Sequence, residues 1–520
     1  MQTDPFSLRR VANPENSLAL LTVAAVLVSF FLALGRAPLF DVDEGAFSQA
    51  TLEMFQRGDY LSTYLNGVPR YDKPILVYWL QAASVLALGP TELAFRLPSA
   101  VCATLWCALV FLFTRAAYGA TTAWLAAACT ATSVGVFVVG RAATADALLN
   151  LLIAASMFAA WLHLQSGQRK WLYLAFAAAG LGVLAKGPVA VLIPFAVTLA
   201  FCLVRRDLRT WLRATFDPRA LLLFALIALP WYAIIFYKEG WAFVDGFIFK
   251  HNIERFGQPL QGHGGSLVYY IPVVLVASMP HTGLLVRTLF RIRELWRDDL
   301  QCYLLLWFVF VFAFFSLSGT KLPHYVLYGM TGMFILMAMQ AASLQSRLLL
   351  IAPTVLFFGF LLAFPALTEI IAAKLDDAYY REVLGDARSH FPAAYYVFAA
   401  AAIVFSVWLI AERRIAVPLK LATCGALSVV ALAAFVVPAL GAMLQEPVRQ
   451  AALLARERGY AVIMWGINAP SFSVYYGRPT PSRTPRPGDI VITKAKRLAE
   501  LPGFDTLYAR KGVVLVRIKE

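Results

Sequence analysis

Charge is scarce in this chain. Only 14% of its 520 residues are Asp, Glu, Lys or Arg, while 60% are hydrophobic. A soluble domain carries roughly 25% charged and 45–50% apolar residues, so a soluble globular protein is excluded. Cysteine is nearly absent as well. All six (Cys102, Cys107, Cys129, Cys202, Cys302, Cys424) fall in or beside apolar runs, in no spacing suited to zinc. They read as packing residues, and the polar segments hold none to bridge. Nucleotide signatures are missing: there is no G-x-x-x-x-G-K-[ST], and no G-x-G-x-x-G lies between a strand and a helix. The basic segments between apolar runs are too short to fold into a catalytic domain. An ATP-driven pump and a cytoplasmic nucleotide-sugar enzyme are therefore not indicated.

What the chain has is long apolar runs, with a mean hydropathy of +0.69. Runs of about 17–25 such residues cross a bilayer as helices. They fall near 17–35, 97–115, 120–139, 143–163, 170–186, 188–204, 219–238, 267–288, 301–318, 323–343, 347–365, 393–411 and 418–438. This predicts a polytopic α-helical membrane protein of about thirteen spans. The first run lacks a small-residue cleavage pattern and reads as an uncleaved span. Dense cationic runs such as RRDLRTWLR and RTLFRIRELWR lie on one side. The Lys/Arg bias places that side and the N-terminus in the cytoplasm, and an odd number of spans puts the C-terminus outside. The net charge of +15 therefore reflects topology, not nucleic-acid binding.

Two segments exceed a connector. Residues 36–96 form a first outer loop with candidate helices at 43–57 and 74–88, the second expected in the interface with Tyr78 and Trp79 at headgroup depth. Residues 441–520 have soluble composition: an amphipathic helix (EPVRQAALLARERG), strands at AVIMWGI, DIVITK and VVLVRI, and a Pro-rich loop. The division is thus 1–440, embedded, and 441–520, a small outer α/β domain. The stretch HNIERFGQPLQGHGGS at 251–266 reads as a mobile loop.

Polar clusters gather on the outer face. Asp43 and Glu44 follow the first span, and Asp72-Lys73-Pro74 opens the second candidate helix. Lys186 and Lys321 recur in AKGP and TKLP. A lone acid in such a loop can simply stay hydrated, and a lone lysine at a span end can snorkel. Three lysines on one face, each closely followed by a proline that fixes the backbone, suit a phosphate better. Asp146 begins a span five residues after Arg141 and needs a partner there. His251, Asn252, Glu254 and Arg255 make a further patch in which Arg255 could grip phosphate. His263, His281 and His324 show no ligand spacing, so no metal site is assigned, although a divalent cation at the outer carboxylates is compatible with the sequence.

The ordered set GRAPLFDVDEGAFSQATLEM, NGVPRYDKPILVYWLQ, FRLPSA, AKGP and SGTKLPHYVLYG resembles the membrane-embedded GT-C glycosyltransferases, nearest the lipid A aminoarabinose transferases and the wider protein O-mannosyltransferase superfamily. The resemblance implies transfer of a sugar, with inversion, from a polyprenyl (undecaprenyl) phosphate carrier in the bacterial inner membrane. The acceptor would be lipid A, another envelope glycan or a protein on the periplasmic face. It implies Asp43 as the catalytic carboxylate, with Glu44 beside it, and Lys73 on the carrier phosphate. Asp146, Lys186, Lys321 and Tyr325 would line the site, and Asp72, Arg141 and Arg255 join them as expected binding residues from the clusters above. The chain departs from the aminoarabinose pattern where Gly45-Ala46 follow the acidic pair in place of T-R, and where Asp72 stands for a glutamate. A flippase for polyprenyl-linked sugars, or a noncatalytic envelope-assembly protein with an outer binding domain, are the competing expectations.

Overall fold

The computed structural model describes residues 14–254, 264–344, 346–375 and 378–520. Its helices follow the apolar runs. In chain order the first part comprises α1 (Pro14–Phe31), α2 (Asp43–Arg57), the hairpin β1–β2 (Tyr64–Leu65, Val68–Pro69), α3 (Leu76–Leu88), α4 (Glu92–Tyr118), α5 (Ala120–Thr132), α6 (Val134–Arg141), α7 (Asp146–Ser166) and α8 (Arg169–Lys186). Then come α9 (Val189–Val204), α10 (Leu208–Thr215), α11 (Pro218–Glu239), α12 (Trp241–Phe243) and α13 (Val244–Glu254), the last wound as a π-helix. The bundle closes with α14 (Tyr270–Ala277), α15 (Thr282–Phe290), α16 (Ile292–Leu295), α17 (Asp299–Leu317), α18 (Leu327–Gln340), α19 (Arg347–Ala372), α20 (Ala378–Leu384), α21 (Ala393–Ala411), α22 (Val417–Ala431) and α23 (Val437–Leu444).

Among the described residues, seven helices are long and apolar enough to cross a membrane, and α5 with α6 makes an eighth if that pair, bent by 64°, is one span. The other expected spans are shorter, interrupted or charged at their ends. The 267–288 run is broken between α14 and α15, and the 323–343 run opens as a 3-10 turn at Pro323–Val326. The breaks in α5–α6 and α14–α15 face each other: Val134 N–H donates to the Met279 carbonyl at 2.9 Å. One donor and one acceptor left by the two breaks thereby satisfy each other.

The first outer loop folds as expected at α2 and α3. The two acids that open α2 complement the positive end of its dipole, and Gly58, at φ 64°, caps its other end on the Met54 and Phe55 carbonyls. Of the two aromatic residues expected at headgroup depth, one faces inward. Tyr78 is fully buried and stacks on Phe47, while Trp79, pointing the other way, donates to the Tyr60 carbonyl. The expected loop at 251–266 is corrected in part as well, since 251–254 end a helix; 255–263 lie outside the described residues.

The C-terminal domain holds α24 (Glu446–Glu457), β3 (Val462–Met464), α25 (Pro470–Tyr476), β4 (Ile490–Lys494), β5 (Phe504–Arg510) and β6 (Val513–Ile518). The sheet order is β3-β4-β6-β5, with β3 and β4 parallel and the other pairs antiparallel. Its helix α25 lies on α2, where Val474 and Tyr475 join an apolar cluster with Leu39, Phe95 and Ala143.

One buried pair joins these parts. Arg96 of α4 meets Glu44 of α2 through two bonds, Nε–Oε1 at 2.9 Å and Nη2–Oε2 at 2.7 Å. The same guanidinium donates to the carbonyls of Leu34, Ala37 and Pro38, and Glu44 accepts from Phe40 N and Ala143 N. Breaking such a pair strands a buried charge at a cost of about 3–5 kcal/mol. Arg96→Ala is therefore expected to lower the thermal midpoint sharply in detergent, with a much smaller loss when Glu44→Gln is added to it. Equal midpoints for the parent and Arg96→Ala would remove the pair from this account.

Candidate active site

Two cavities meet at the start of α2. One is an apolar groove of about 790 Å³, lined by Val134, Gly135, Phe137 and Val138 from the first broken helix and Val273, Val276 and Ala277 from the second. The other is a polar pocket of about 80 Å³, lined by Phe47, Arg70, Asp72, Lys73, Lys186, His251, Leu322 and Tyr325. Asp43, Thr144, Asp146 and His324 line both.

Within the pocket the carboxylates are not equivalent. Asp146, at the first residue of α7, takes Lys186 Nζ at 2.5 Å and the Tyr328 hydroxyl at 2.7 Å, both on Oδ1. Lys186 also donates to that hydroxyl at 2.7 Å, and Thr144 Oγ1 donates to Oδ2 at 3.2 Å. Asp72 sits between Arg70 (3.3 Å) and His251 (2.8 Å). Burial opposes its ionisation, but the His251 hydrogen bond and the charges of Arg70 and Lys73 outweigh it and hold the carboxyl well below its usual range. Asp43 is exposed, and among the described residues it carries no hydrogen bond or ion pair. It is the acid in the pocket with oxygens to spare.

Of the residues expected from sequence, Asp43, Asp72, Lys73, Asp146, Lys186 and Tyr325 come together here. Lys73 donates to the Asp72 carbonyl at 3.0 Å, and Tyr325 lies under Lys186, 5.6 Å from its Nζ. Glu44 borders the groove, but each of its oxygens already takes two donors, which suits it to holding the site together. Arg141 does not pair with Asp146: its guanidinium caps α1 through the Ser29 and Leu32 carbonyls, and Lys186 takes the acid instead. Lys321 is buried with Nζ on the Ser318 carbonyl at 2.5 Å and is not among the pocket's lining residues. Arg255 and His263 lie outside the described residues. Among those described, no group of three His, Cys, Asp or Glu could hold a metal ion.

Sequence reasoning missed Arg70, Arg96, Tyr328 and the pairing of His251 with Asp72. Three of these stand inside the motifs quoted above, and only the fold shows which motif residues turn inward.

This architecture, a helical membrane bundle with a structured first outer loop and a small α/β domain on it, is the GT-C fold. It matches the crystal structure of ArnT from Cupriavidus metallidurans bound to undecaprenyl phosphate with a TM-score of 0.79 over 96% of this chain and 97% of that one, at 19% identity. The family model for dolichyl-phosphate-mannose-protein mannosyltransferase matches residues 72–234. Among curated proteins, the undecaprenyl phosphate-alpha-4-amino-4-deoxy-L-arabinose arabinosyl transferase of Serratia proteamaculans is 30% identical over 343 residues, covering 62% of this chain. That of Erwinia tasmaniensis is 32% identical over 316 residues, covering 58%. The match spans 60% and 56% of the length of these two relatives.

A titratable group also lies beside the site. Asp41, two residues before Asp43, accepts from Ser471 N at 2.8 Å and Ser471 Oγ at 2.5 Å. Burial pushes its carboxyl up to about 7; the two Ser471 bonds pull it down, and the charge of Glu44 adds to the rise. Glu44 is itself paired with Arg96, and Tyr475 is the titratable neighbour from α25. A carboxyl raised above its ordinary 3.8 stabilises the docked state fully below that value and loses that contribution as pH climbs through about 7. Hydrogen exchange at the Ser471 amide is accordingly expected to speed up between about pH 4 and about pH 7 beyond its intrinsic rise, with no further excess above that range, and Asp41→Asn to flatten that excess. A pH-independent protection factor in the parent protein would contradict the assignment.

Proposed function

We propose that this protein is an inner-membrane glycosyltransferase that moves a sugar from a polyprenyl phosphate carrier to an envelope acceptor on the periplasmic face. The observation that carries the reading is the junction itself: a long apolar groove opens onto a small cation-lined pocket, and an unpaired carboxylate stands where they join. A polyprenyl phosphate sugar has that same division, an apolar chain ending in an anionic headgroup. The crystallised ArnT was bound to undecaprenyl phosphate, and the curated relatives are named for the same carrier.

In this reading the polyprenyl chain lies along the groove and the phosphate enters the pocket beside Arg70, Lys73 and Lys186. Cations facing the leaving phosphate stabilise the charge that grows as the anomeric C–O bond breaks. The acceptor oxygen attacks the opposite face of the anomeric carbon, which inverts it. Where the acceptor is a hydroxyl, Asp43 takes its proton; where it is an ionised phosphate, as on lipid A, Asp43 orients the reactants instead. Asp146 holds Lys186 and Tyr328 in place and keeps its own oxygens occupied. The N-terminus is cytoplasmic and the 441–520 domain periplasmic.

General-base catalysis contributes about 10²–10⁴-fold. With a hydroxyl acceptor, Asp43→Asn is expected to lose transfer on that scale while the protein still folds and inserts; Lys73→Ala is expected to weaken donor use. Mass spectrometry of envelope lipids and glycans from deletion cells, with and without an Asp43→Asn complement, tests this. The expected result is loss of a sugar-sized mass and accumulation of the polyprenyl-linked donor on the outer face. Accumulation on the inner face would replace the transferase by a flippase.

A further inference from the structure

The segment that carries Asp43, Arg70, Asp72 and Lys73 of the pocket is gripped on both sides of α2 by the C-terminal domain. Before α2, Ser471 occupies both carboxylate oxygens of Asp41, and the Leu39 amide donates to the Tyr475 hydroxyl at 2.7 Å. That hydroxyl in turn donates to Glu92 of α4 at 3.1 Å. After α2, Thr480 N donates to Asn66 Oδ1 at 3.1 Å in the turn of the β1–β2 hairpin. The same turn is held from α2, where Glu53 accepts from Asn66 N at 2.6 Å and Gly67 N at 3.0 Å. Asp43 lies two residues beyond the first grip, and Arg70, Asp72 and Lys73 begin four residues beyond the second.

Gly45 makes the first grip available. It lies in the first turn of α2 with an ordinary helical backbone, yet a Cβ there would run into the Asp41 carboxylate and the Ser471 amide, with Ser471 Cα at 3.0 Å. Conformational freedom does not call for glycine at this position. Contact with the C-terminal domain does.

We propose that the C-terminal domain is a positioning element of the active site: Ser471, Tyr475 and Thr480 clamp the turn before α2 and the hairpin after it, and so aim Asp43 and the Arg70–Lys73 strip at one another. The proposal rests on the glycosyl-transfer reading above and gives the 441–520 domain its part in it. The catalytic groups stay in the membrane domain; the outer domain acts on them through its contacts with Asp41, Leu39 and Asn66, beside the packing of α25 on α2.

The substitutions Ser471→Ala and Gly45→Ala test it in the full-length protein reconstituted with a polyprenyl phosphate sugar. Gly45→Ala is informative because alanine favours the helix by roughly 1 kcal/mol, so α2 itself is strengthened while the clamp is forced apart. Both variants are expected to raise hydrogen exchange at residues 39–45 and 66–73. Both should lower kcat about tenfold or more, since a 1 Å misplacement costs up to about 10²-fold, with KM for the donor changed far less. Asp41→Asn, which still accepts from the Ser471 amide and can donate to its hydroxyl, should retain most of the rate that Asp41→Ala loses. Asp505→Asn, on the exposed edge strand β5, should leave transfer unchanged. Faster exchange with an unchanged kcat would overturn the proposal. So would unchanged exchange in Gly45→Ala, or a loss confined to KM for the acceptor, which would make the domain an acceptor-binding module. Absence of transfer by the parent protein would count against the glycosyl-transfer reading alone, because the exchange measurement tests the clamp without it.

Discussion

The site depends on one buried ion pair. Glu44 and Arg96 bring four segments to a single point: the connection after α1 through the Leu34, Ala37 and Pro38 carbonyls, the start of α2, the first turns of α4, and the Ala142–Asp146 turn that leads into α7. Taking two charges out of water is expensive, and their attraction offsets it only when the remaining donors and acceptors are satisfied. Here both Glu44 oxygens take two donors each, and all three guanidinium nitrogens are engaged. The pair is therefore a latch whose geometry has no slack. Asp43 is the neighbour of one half of it, and Thr144 and Asp146 follow the backbone amide that it binds.

That latch separates two tasks that adjacent carboxylates would otherwise share. Glu44 is spent on structure, so Asp43, turned about 100° away on the same helix, is left for the pocket. The same division recurs on the cationic side. Lys186 is tied to Asp146 and Tyr328, whereas Arg70 is tied to Asp72 through a longer 3.3 Å contact and its Nε makes no hydrogen bond among the described residues. A planar guanidinium suits the oxygens of a phosphate, and a buried N–H left without a partner costs about 1–3 kcal/mol. A bound anion would remove that cost.

Much of this was legible in the sequence, and the limits have physical causes. The apolar runs marked the helices, and α2 and α3 fell within two residues of their expected starts, because strong periodicity and flanking Gly and Pro leave little choice. The breaks at Ser133 and at Ser278–His281 were invisible, since each is repaired by the other and a run of apolar residues reads the same straight or bent. In the outer domain β5 was missed because FDTLYAR is an edge strand, half polar and bulged at Thr506–Tyr508. The α25 segment PSFSVYY was missed because aromatic and β-branched residues read as strand, and its helix is held by docking on α2. At the site, residue type and spacing identified the clusters but not the pairing. Arg141 stood close to Asp146 in sequence, yet a helix end with bare carbonyls competed for its guanidinium and won.

The departure at Gly45 follows from the same geometry. An aminoarabinose-type pattern places two side chains after the acidic pair, and this chain has Gly45 and Ala46 there. The space that a side chain at 45 would need is filled by Asp41 and by the N-terminus of α25. Position 45 is therefore settled by docking: any larger residue there has to displace the Asp41–Ser471 contact, so the start of α2 and the start of α25 constrain each other.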